Sequence, residues 1–364
     1  MTSSAPDDSN ITSAHNEPSN KINIGTRRSA LARIQADLVR DELQKAWPEK
    51  TYEIHAMSTM GDKNQVTPLH EMGAKALWTH ELEALLLEKK LDGVVHCLKD
   101  MPTQLPANLK IGAILPGEDP RDVLVVRSSL NTTYSTLSSL PASSIIGTSS
   151  VRRSAQIRRK YPHLQFADVR GNIGTRLSKL DDPESPYTAL VLAAAGLKRL
   201  GLDDRISQYL TGKEGGMLHA VGQGALAIEI REGDDEMECV VKKIACWRTT
   251  RQMLAQRSLM RTLEGGCSVP IGVETEWVKG ETSGAGDGDV DEERFTNELV
   301  MSAIVVSLDG ADAAEGEIKK VVRNEEDADE FGRDMARLLI ERGASEILEK
   351  INLNRKIIEA QGDA

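Results

Sequence analysis

Short apolar runs that end in Gly, Ser or Arg alternate along this chain with stretches of helical spacing. The run Lys21-Ile-Asn-Ile24 reads as a strand turned by Gly25-Thr-Arg-Arg28. Ser29 then fits a helix N-cap, with Leu31, Ile34 and Leu38 predicted on one buried face. A second strand covers Tyr52 to Met57, and the polar stretch from Gly61 to Ala76 is long enough to be a mobile loop. A Leu-rich helix is predicted from about Thr79 to Lys90. The apolar run Asp92-Gly-Val-Val-His-Cys-Leu98 then ends at Lys99-Asp100, before Met101-Pro102.

The pattern restarts after Pro141. Ser144-Ile-Ile146 is a strand, Gly147-Thr-Ser-Ser150 a turn and Val151 onward a helix. Ile-Gly-Thr followed by Arg-Arg-Ser-Ala occurs twice, at Ile24 to Ala30 and at Ile146 to Ala155, the second time with three extra residues. Two α/β domains of like design are therefore expected, each with a mostly parallel sheet. Strands at Leu164 to Val169, at Ala189 to Ala194 and within Gly222 to Ile230 extend the pattern. From about Thr249 the character changes. A helix runs to Leu263, strands follow at Val269 to Val273 and Leu299 to Leu308, and Asp327-Ala-Asp-Glu330 reads as the capping box of a final helix. This is a small α+β third domain. The acidic, Gly-rich stretch Glu281 to Glu293 is read as a flexible surface insertion.

The 364 residues carry a net charge of −11 with 3% aromatics, a poor basis for nucleic-acid binding. No apolar run reaches the ~20 residues of a membrane helix. The first 20 residues, polar and with Asp7, Asp8 and Glu17, fit neither a secretory nor a transit signal. They read as a disordered tail on a cytoplasmic protein. Four cysteines without CxxC spacing fit a reducing compartment, and the histidines show no metal spacing, so no metal is expected. His96, within an apolar strand, reads as a satisfied core histidine.

Against that acidic background, arginines gather where strands turn into helices: Arg27, Arg28, Arg152, Arg153, Arg170, Arg176 and Arg199. Ligands of α/β sheets bind at such ends, and Arg matches carboxylate or phosphate bidentately. Ser149 and Ser150 add hydroxyls beside a helix N-terminus. There is no phosphate loop, so several separate carboxylates suit the set better than one pyrophosphate. Asp100, at a strand mouth among arginines, is suited to stabilising a cation that forms during reaction. Cys267, after Gly265-Gly266, reads as a thiol on an exposed turn. Surface ion pairs for the arginines, a turn role for Asp100 and a buried turn position for Cys267 are the plainer alternatives.

The chain resembles the porphobilinogen deaminase (hydroxymethylbilane synthase) family from Lys21 to near its end. The resemblance rests on Ile24-Gly-Thr-Arg27, Val95-His-Cys-Leu-Lys-Asp100, Gly147-Thr-Ser-Ser-Val-Arg-Arg153, Val169-Arg-Gly-Asn172 with Ile173-Gly-Thr-Arg176, Ala195-Gly-Leu-Lys-Arg199, Ala220-Val-Gly-Gln-Gly-Ala225 and Leu263-Glu-Gly-Gly-Cys267. It implies two periplasmic-binding-protein-like (type II) α/β domains around a cleft, plus a small α+β C-terminal domain. The implied division is 21–115 with 220–240, then 116–219, then 241–364. It implies a dipyrromethane cofactor held as a thioether by Cys267, and head-to-tail condensation of four porphobilinogen molecules with loss of ammonia. Water then releases the linear tetrapyrrole. Asp100 would be the catalytic carboxylate. Arg27, Arg152, Arg153, Arg170, Arg176 and Arg199 would hold acetate and propionate groups, with Ser29, Lys99, Thr148, Ser149, Ser150, Gly171 and Gln223 as further cleft positions. Few apolar stripes in the chain look exposed, which favours a monomer. Cys97 stands where the family usually has Ser, and His80 where it usually has Lys. A carboxylate-binding module without catalysis and an enzyme of a phosphorylated metabolite are the rival readings.

Overall fold

The computed structural model describes residues 20–59, 79–263, 269–280 and 295–362. The amino-terminal tail, the stretch from Gly61 to Ala76, Trp78, Cys267 and the acidic stretch at 281–293 lie outside the described residues.

The first sheet is built from β1 (Lys21–Arg27), β2 (Thr51–Met57), β3 (Gly93–Cys97), β4 (Leu109–Ile114) and, from far along the chain, β10 (Leu226–Arg231). Its order is β2-β1-β3-β10-β4. The second sheet has β5 (Asp122–Val126), β6 (Ile145–Gly147), β7 (Gln165–Ala167), β8 (Ala189–Ala193) and β9 (Gln208–Leu210), in the order β7-β6-β8-β5-β9. The two orders are the same: a parallel trio, then an inserted antiparallel strand, then an outer strand. Both are therefore α/β domains of one design, as the repeated Ile-Gly-Thr phrase suggests. They are mixed sheets, not the mostly parallel ones expected from alternation. The inserted strands, β5 and β10, are the ones the chain lays down just after leaving the other sheet, so they run back against the trio.

Helices cover these sheets. In the first domain, α1 (Ala30–Ala46) begins at Ser29, whose Oγ accepts from the Ala32 N–H. Its buried positions are Gln35, Ala36, Val39 and Leu43, whereas Leu38 is 44% exposed, so the face is rotated from the one expected. α2 spans His80–Leu87. In the second domain, α3 (Val151–Lys160), α4 (Ile173–Asp181) and α5 (Ala194–Arg199) follow β6, β7 and β8.

After β10 come α6 (Asp235–Lys242) and α7 (Trp247–Thr262), then an antiparallel sheet β11 (Ile271–Lys279), β12 (Phe295–Val306) and β13 (Ala313–Val321). Two helices close the third domain, α8 (Glu325–Glu341) and α9 (Ala344–Gly362). The cap of α8 is Asn324, whose side chain accepts from Asp327 N–H at 2.7 Å, three residues before the capping box expected. α8 is also not the last helix. Its Phe331, Met335 and Leu339 pack with Leu259 and Val305 in one core. Gly332 lets α8 approach α7 closely: a Cβ there would stand 2.2 Å from the Ala255 carbonyl oxygen.

Two connections, 115–121 and 211–225, join the α/β domains, and they lie side by side. Glu118 N–H donates to the Gly224 carbonyl at 3.2 Å, and Gln223 Nε2 to the Pro120 carbonyl at 2.7 Å. Gly224 has φ +89°, and any Cβ would meet the Glu118 carbonyl oxygen at 2.2 Å. Asp122 starts β5 next to this crossing and is fully buried. Arg152 Nη1 reaches its Oδ2 at 2.6 Å, Arg153 Nε its Oδ1 at 2.9 Å, and Gln223 Nε2 the same Oδ1 at 3.1 Å. Burial alone would raise the Asp122 carboxyl, but the two guanidiniums outweigh it and hold it well below the usual carboxylate range.

Replacing Asp122 by Ala should leave two buried guanidiniums facing each other with no counter-charge. Unfolding at neutral pH should show a loss of about 3–5 kcal/mol. Because the folded-state carboxyl is depressed, its contribution is present above the unfolded value of about 3.9 and fades as pH falls below it. The stability gap between parent and Asp122→Ala should therefore narrow in acid. A gap that stays constant across that range would show that Asp122 contributes by packing alone.

Candidate active site

A cleft of about 520 Å³ is lined from both α/β domains. From the first come Arg27, Arg28 and Ser29 at the β1–α1 turn, and Lys99 and Asp100 in the short 3-10 turn (Leu98–Asp100) that ends β3. From the second come Arg153, Arg170, Gly171, Arg176 and Arg199, and from the crossing Gln223. These are carboxyl ends of strands and the helix starts that follow them, where sheet topology leaves an opening.

The cleft is strongly cationic. Among the described residues, Arg27, Arg28, Lys99, Arg153, Arg170, Arg176 and Arg199 line it, seven cations against the single carboxylate of Asp100. Burial, reinforced by Arg153 and Arg170, pushes the Arg176 guanidinium down to about 10. Burial also lowers Lys99, against the pull of Asp100, and lowers Arg199. Cations that destabilise one another in this way are relieved by an anionic ligand.

Backbone and side-chain bonds hold several of them in place. Arg176 Nε donates to the Gly171 carbonyl at 2.8 Å, which the φ of +112° at Gly171 turns toward it. Arg199 Nη2 donates to the Gly224 carbonyl at 2.7 Å, and Lys99 Nζ to Gln223 Oε1 at 3.3 Å. Both contacts tie a cleft cation to the crossing. Asn172 caps α4, its Oδ1 accepting from Thr175 N–H at 2.8 Å. Asp100 itself is exposed to the open cleft.

Four expected cleft residues are turned elsewhere. The three extra residues in the second Ile-Gly-Thr phrase carry Arg152 and Arg153 into the first turn of α3, whereas Arg27 and Arg28 precede the α1 cap. Arg152 is 5% exposed, spent on Asp122 and the Leu218 carbonyl, and lines no part of the cleft. Arg153 is likewise paired to Asp122 and to the Val191 carbonyl, though its side reaches the cleft wall. Ser149 Oγ donates to the Val169 carbonyl, and Thr148 Oγ1 accepts from Ser150 N–H. Thr148, Ser149 and Ser150 thus shape the turn and are absent from the cleft lining.

Arg28, Gln35, Cys97 and Asn172 also line the cleft. Gln35 Nε2 approaches Cys97 Sγ at 2.9 Å, and burial raises the Cys97 thiol. A Gln on the buried face of α1 was the signal for this position, hidden by the one-residue rotation of that face. His80 is exposed and does not line the cleft.

Comparison with known proteins agrees with this geometry. Residues 22–239 match the model for porphobilinogen deaminase, dipyromethane cofactor binding domain, and residues 250–341 the porphobilinogen deaminase C-terminal domain. The porphobilinogen deaminase of Neurospora crassa is 49% identical over 93% of this chain and 96% of its own length. That of Yarrowia lipolytica is 48% identical over 92% of this chain and 94% of its own. Among solved structures, an amino acid ABC transporter substrate-binding protein from Streptococcus pneumoniae bound to L-arginine is 15% identical, with TM-score 0.34 over 62% of this chain and 86% of that one. Matched from its first strand to its eighth helix, and by relatives along nearly their whole length, the chain belongs to the porphobilinogen deaminase family.

Proposed function

We propose that this chain condenses porphobilinogen units head to tail on a dipyrromethane held by Cys267, releasing ammonia at each addition and finally the linear tetrapyrrole. The observation that carries this reading is one carboxylate, Asp100, set among seven cations in the interdomain cleft. A receptor for carboxylates has use for the cations but none for an acid among them. A reaction that forms a cation has use for both.

The donor set fits the dipyrromethane, whose acetate and propionate groups bring several carboxylates to an opening lined by guanidiniums. When bound, that group would supply the free pyrrole carbon to which the first unit is joined, each later unit adding to the ring before it. Arg27 and Ser29 at the start of α1, Arg170, Gly171 and Arg176 around the start of α4, and Arg199 at the end of α5 hold carboxylates of cofactor and substrate. Lys99 and Gln223 position Asp100 from the crossing, and Arg153 supports the wall from its pair with Asp122. Asp100 stabilises the positive charge that appears on the incoming pyrrole as its ammonia leaves. Arg152, Thr148, Ser149 and Ser150 belong to the framework behind these groups.

The same reading takes 21–115 with 220–240 as one domain, 116–219 as the second and 241–364 as the third. The insertion of β10 between β3 and β4 supports the first of these. It also takes the protein as a cytoplasmic monomer. No helix among the described residues is long and apolar enough to cross a membrane, and the large exposed apolar side chains are few.

Intact-mass measurement and Ehrlich's reagent test the reading together. The purified chain should carry the dipyrromethane mass and give the dipyrrole colour, and Cys267→Ser should lose both while remaining folded. A Cys267→Ser protein that kept the full added mass would overturn the attachment site.

For Asp100→Asn, kcat should fall by about 10²-fold or more with a smaller change in KM, because the charge it offsets arises mainly in the transition state. A raised KM with kcat preserved would make Asp100 a positioning residue. Arg176→Leu should weaken binding by about 1.5–3 kcal/mol, one to two decades in apparent affinity, with Tm little changed. Wild-type kinetics in that variant would remove Arg176 from the binding set.

A further inference from the structure

Behind Asp100 lies a polar cluster that the reaction described above leaves unused. His96 on β3 meets Glu229 on β10, Nε2 to Oε2 at 2.9 Å, with the two residues 6% and 0% exposed. The helix α2 packs on both strands and brings in Glu83, 3% exposed, with Thr79 at its N-cap 2% exposed. The surroundings are Leu82, Leu86, Leu91 and Val94, a core with no polar need of its own. Yet, among the described residues, Thr79 Oγ1, Glu83 Oε1 and Glu229 Oε1 are all buried with no partner at full hydrogen-bond distance, the Thr79 hydroxyl being only a weak donor toward the Glu83 carboxyl. Buried polar atoms in native proteins are almost always paired, so poorly paired atoms gathered around one site call for an explanation. A small cavity of about 60 Å³, lined by Thr79, His96, Cys97 and Asp100 among others, runs from the cleft carboxylate to the His96 edge of this cluster, with Glu229 reached through its contact with His96.

We propose that Glu83, His96 and Glu229 form a proton store that exchanges one proton with Asp100 through this cavity in each condensation. The inference rests on the role of Asp100 given above. As ammonia leaves the substrate ammonium, the C–N bond breaks with its pair going to nitrogen, so no proton is taken up. After the new C–C bond forms, a ring C–H bond breaks with its pair returning to the ring. One proton is set free, nothing is oxidised or reduced, and the overall products are the lengthened chain and ammonium.

That proton appears among seven cations, where like charge disfavours its staying. Asp100 can accept it only by losing the charge needed for the next unit. The poorly paired carboxylate oxygens of Glu83 and Glu229 give it a place to go. Burial above all, with Glu229 adding, raises the Glu83 carboxyl, while the Thr79 hydroxyl and the facing His96 and His80 pull it the other way. A carboxyl moved upward in this way trades protons more readily near neutrality.

The test is Glu83→Gln in cofactor-loaded enzyme. Turnover should fall about 10-fold or more with KM unchanged. The acid limb of the kcat–pH profile should shift, the solvent deuterium isotope effect should grow, and the dipyrromethane mass should be retained. Infrared difference spectra of the unmodified holoenzyme recorded during turnover at neutral pH should gain a neutral carboxylic-acid carbonyl band that Glu83→Gln removes. A folded, loaded Glu83→Gln with the parent's pH profile and isotope effect would overturn the store. So would the absence of that band in the parent, a measurement that stands even if the variant fails to fold. An unmodified enzyme that forms no tetrapyrrole would overturn the functional reading, and the store with it.

Discussion

The buried carboxylate of Asp122 is the point on which the two α/β domains and their cleft depend. It receives Arg152 and Arg153 from the first turn of α3 and Gln223 from the returning connection. Gln223 in turn accepts from Lys99, the neighbour of Asp100. One charge at the start of β5 therefore ties together the start of a helix of the second domain, the lie of the two connections and the Lys99-Asp100 turn of the first domain. Two full guanidinium charges are buried at almost no exposed surface, and only the matching carboxylate makes that tolerable.

The same electrostatics separates framework arginines from working ones. Arg152 and Arg153 have a carboxylate and carbonyl oxygens as partners. Arg176 and Arg199 donate to carbonyl oxygens, and Asp100 and Glu118 act on them without an ion pair among the described residues, so their geometry is set while most of their charge is left for a ligand. A protein with a net charge of −11 thus keeps a local field of the opposite sign in its cleft. Such a field favours an anionic ligand in the cleft even though the chain's net charge opposes one.

Much of this was legible in the chain because Gly, Ser and Arg mark each strand-to-helix turn. The repeated Ile-Gly-Thr phrase falls on β1 and β6, which occupy the same place in the two sheets. The misplaced expectations share a cause: local pattern is blind to partners distant in sequence. Val123 to Val126 and Leu226 to Ile230 are buried on both faces, so no periodicity reveals that β5 and β10 run antiparallel. Arg152 reads like Arg27 until Asp122, thirty positions earlier, claims it. Gln35 looks like a surface residue until Cys97 comes to meet it. Asn324 and Asp327 are both competent caps, and the packing of Phe331 against α7 decides between them.

The place of β10 also bears on how the chain acquires its shape. The second sheet is complete in one unbroken stretch, from Asp122 to Leu210. The first sheet has four strands made by Ile114, yet β3 and β4 have no contact in the ladder until Leu226–Arg231 slides between them. During synthesis the amino-terminal domain must wait with two open strand edges while more than a hundred further residues emerge. The domain made second is the one able to close first, and the half that carries Asp100 is sealed only by a strand delivered after it.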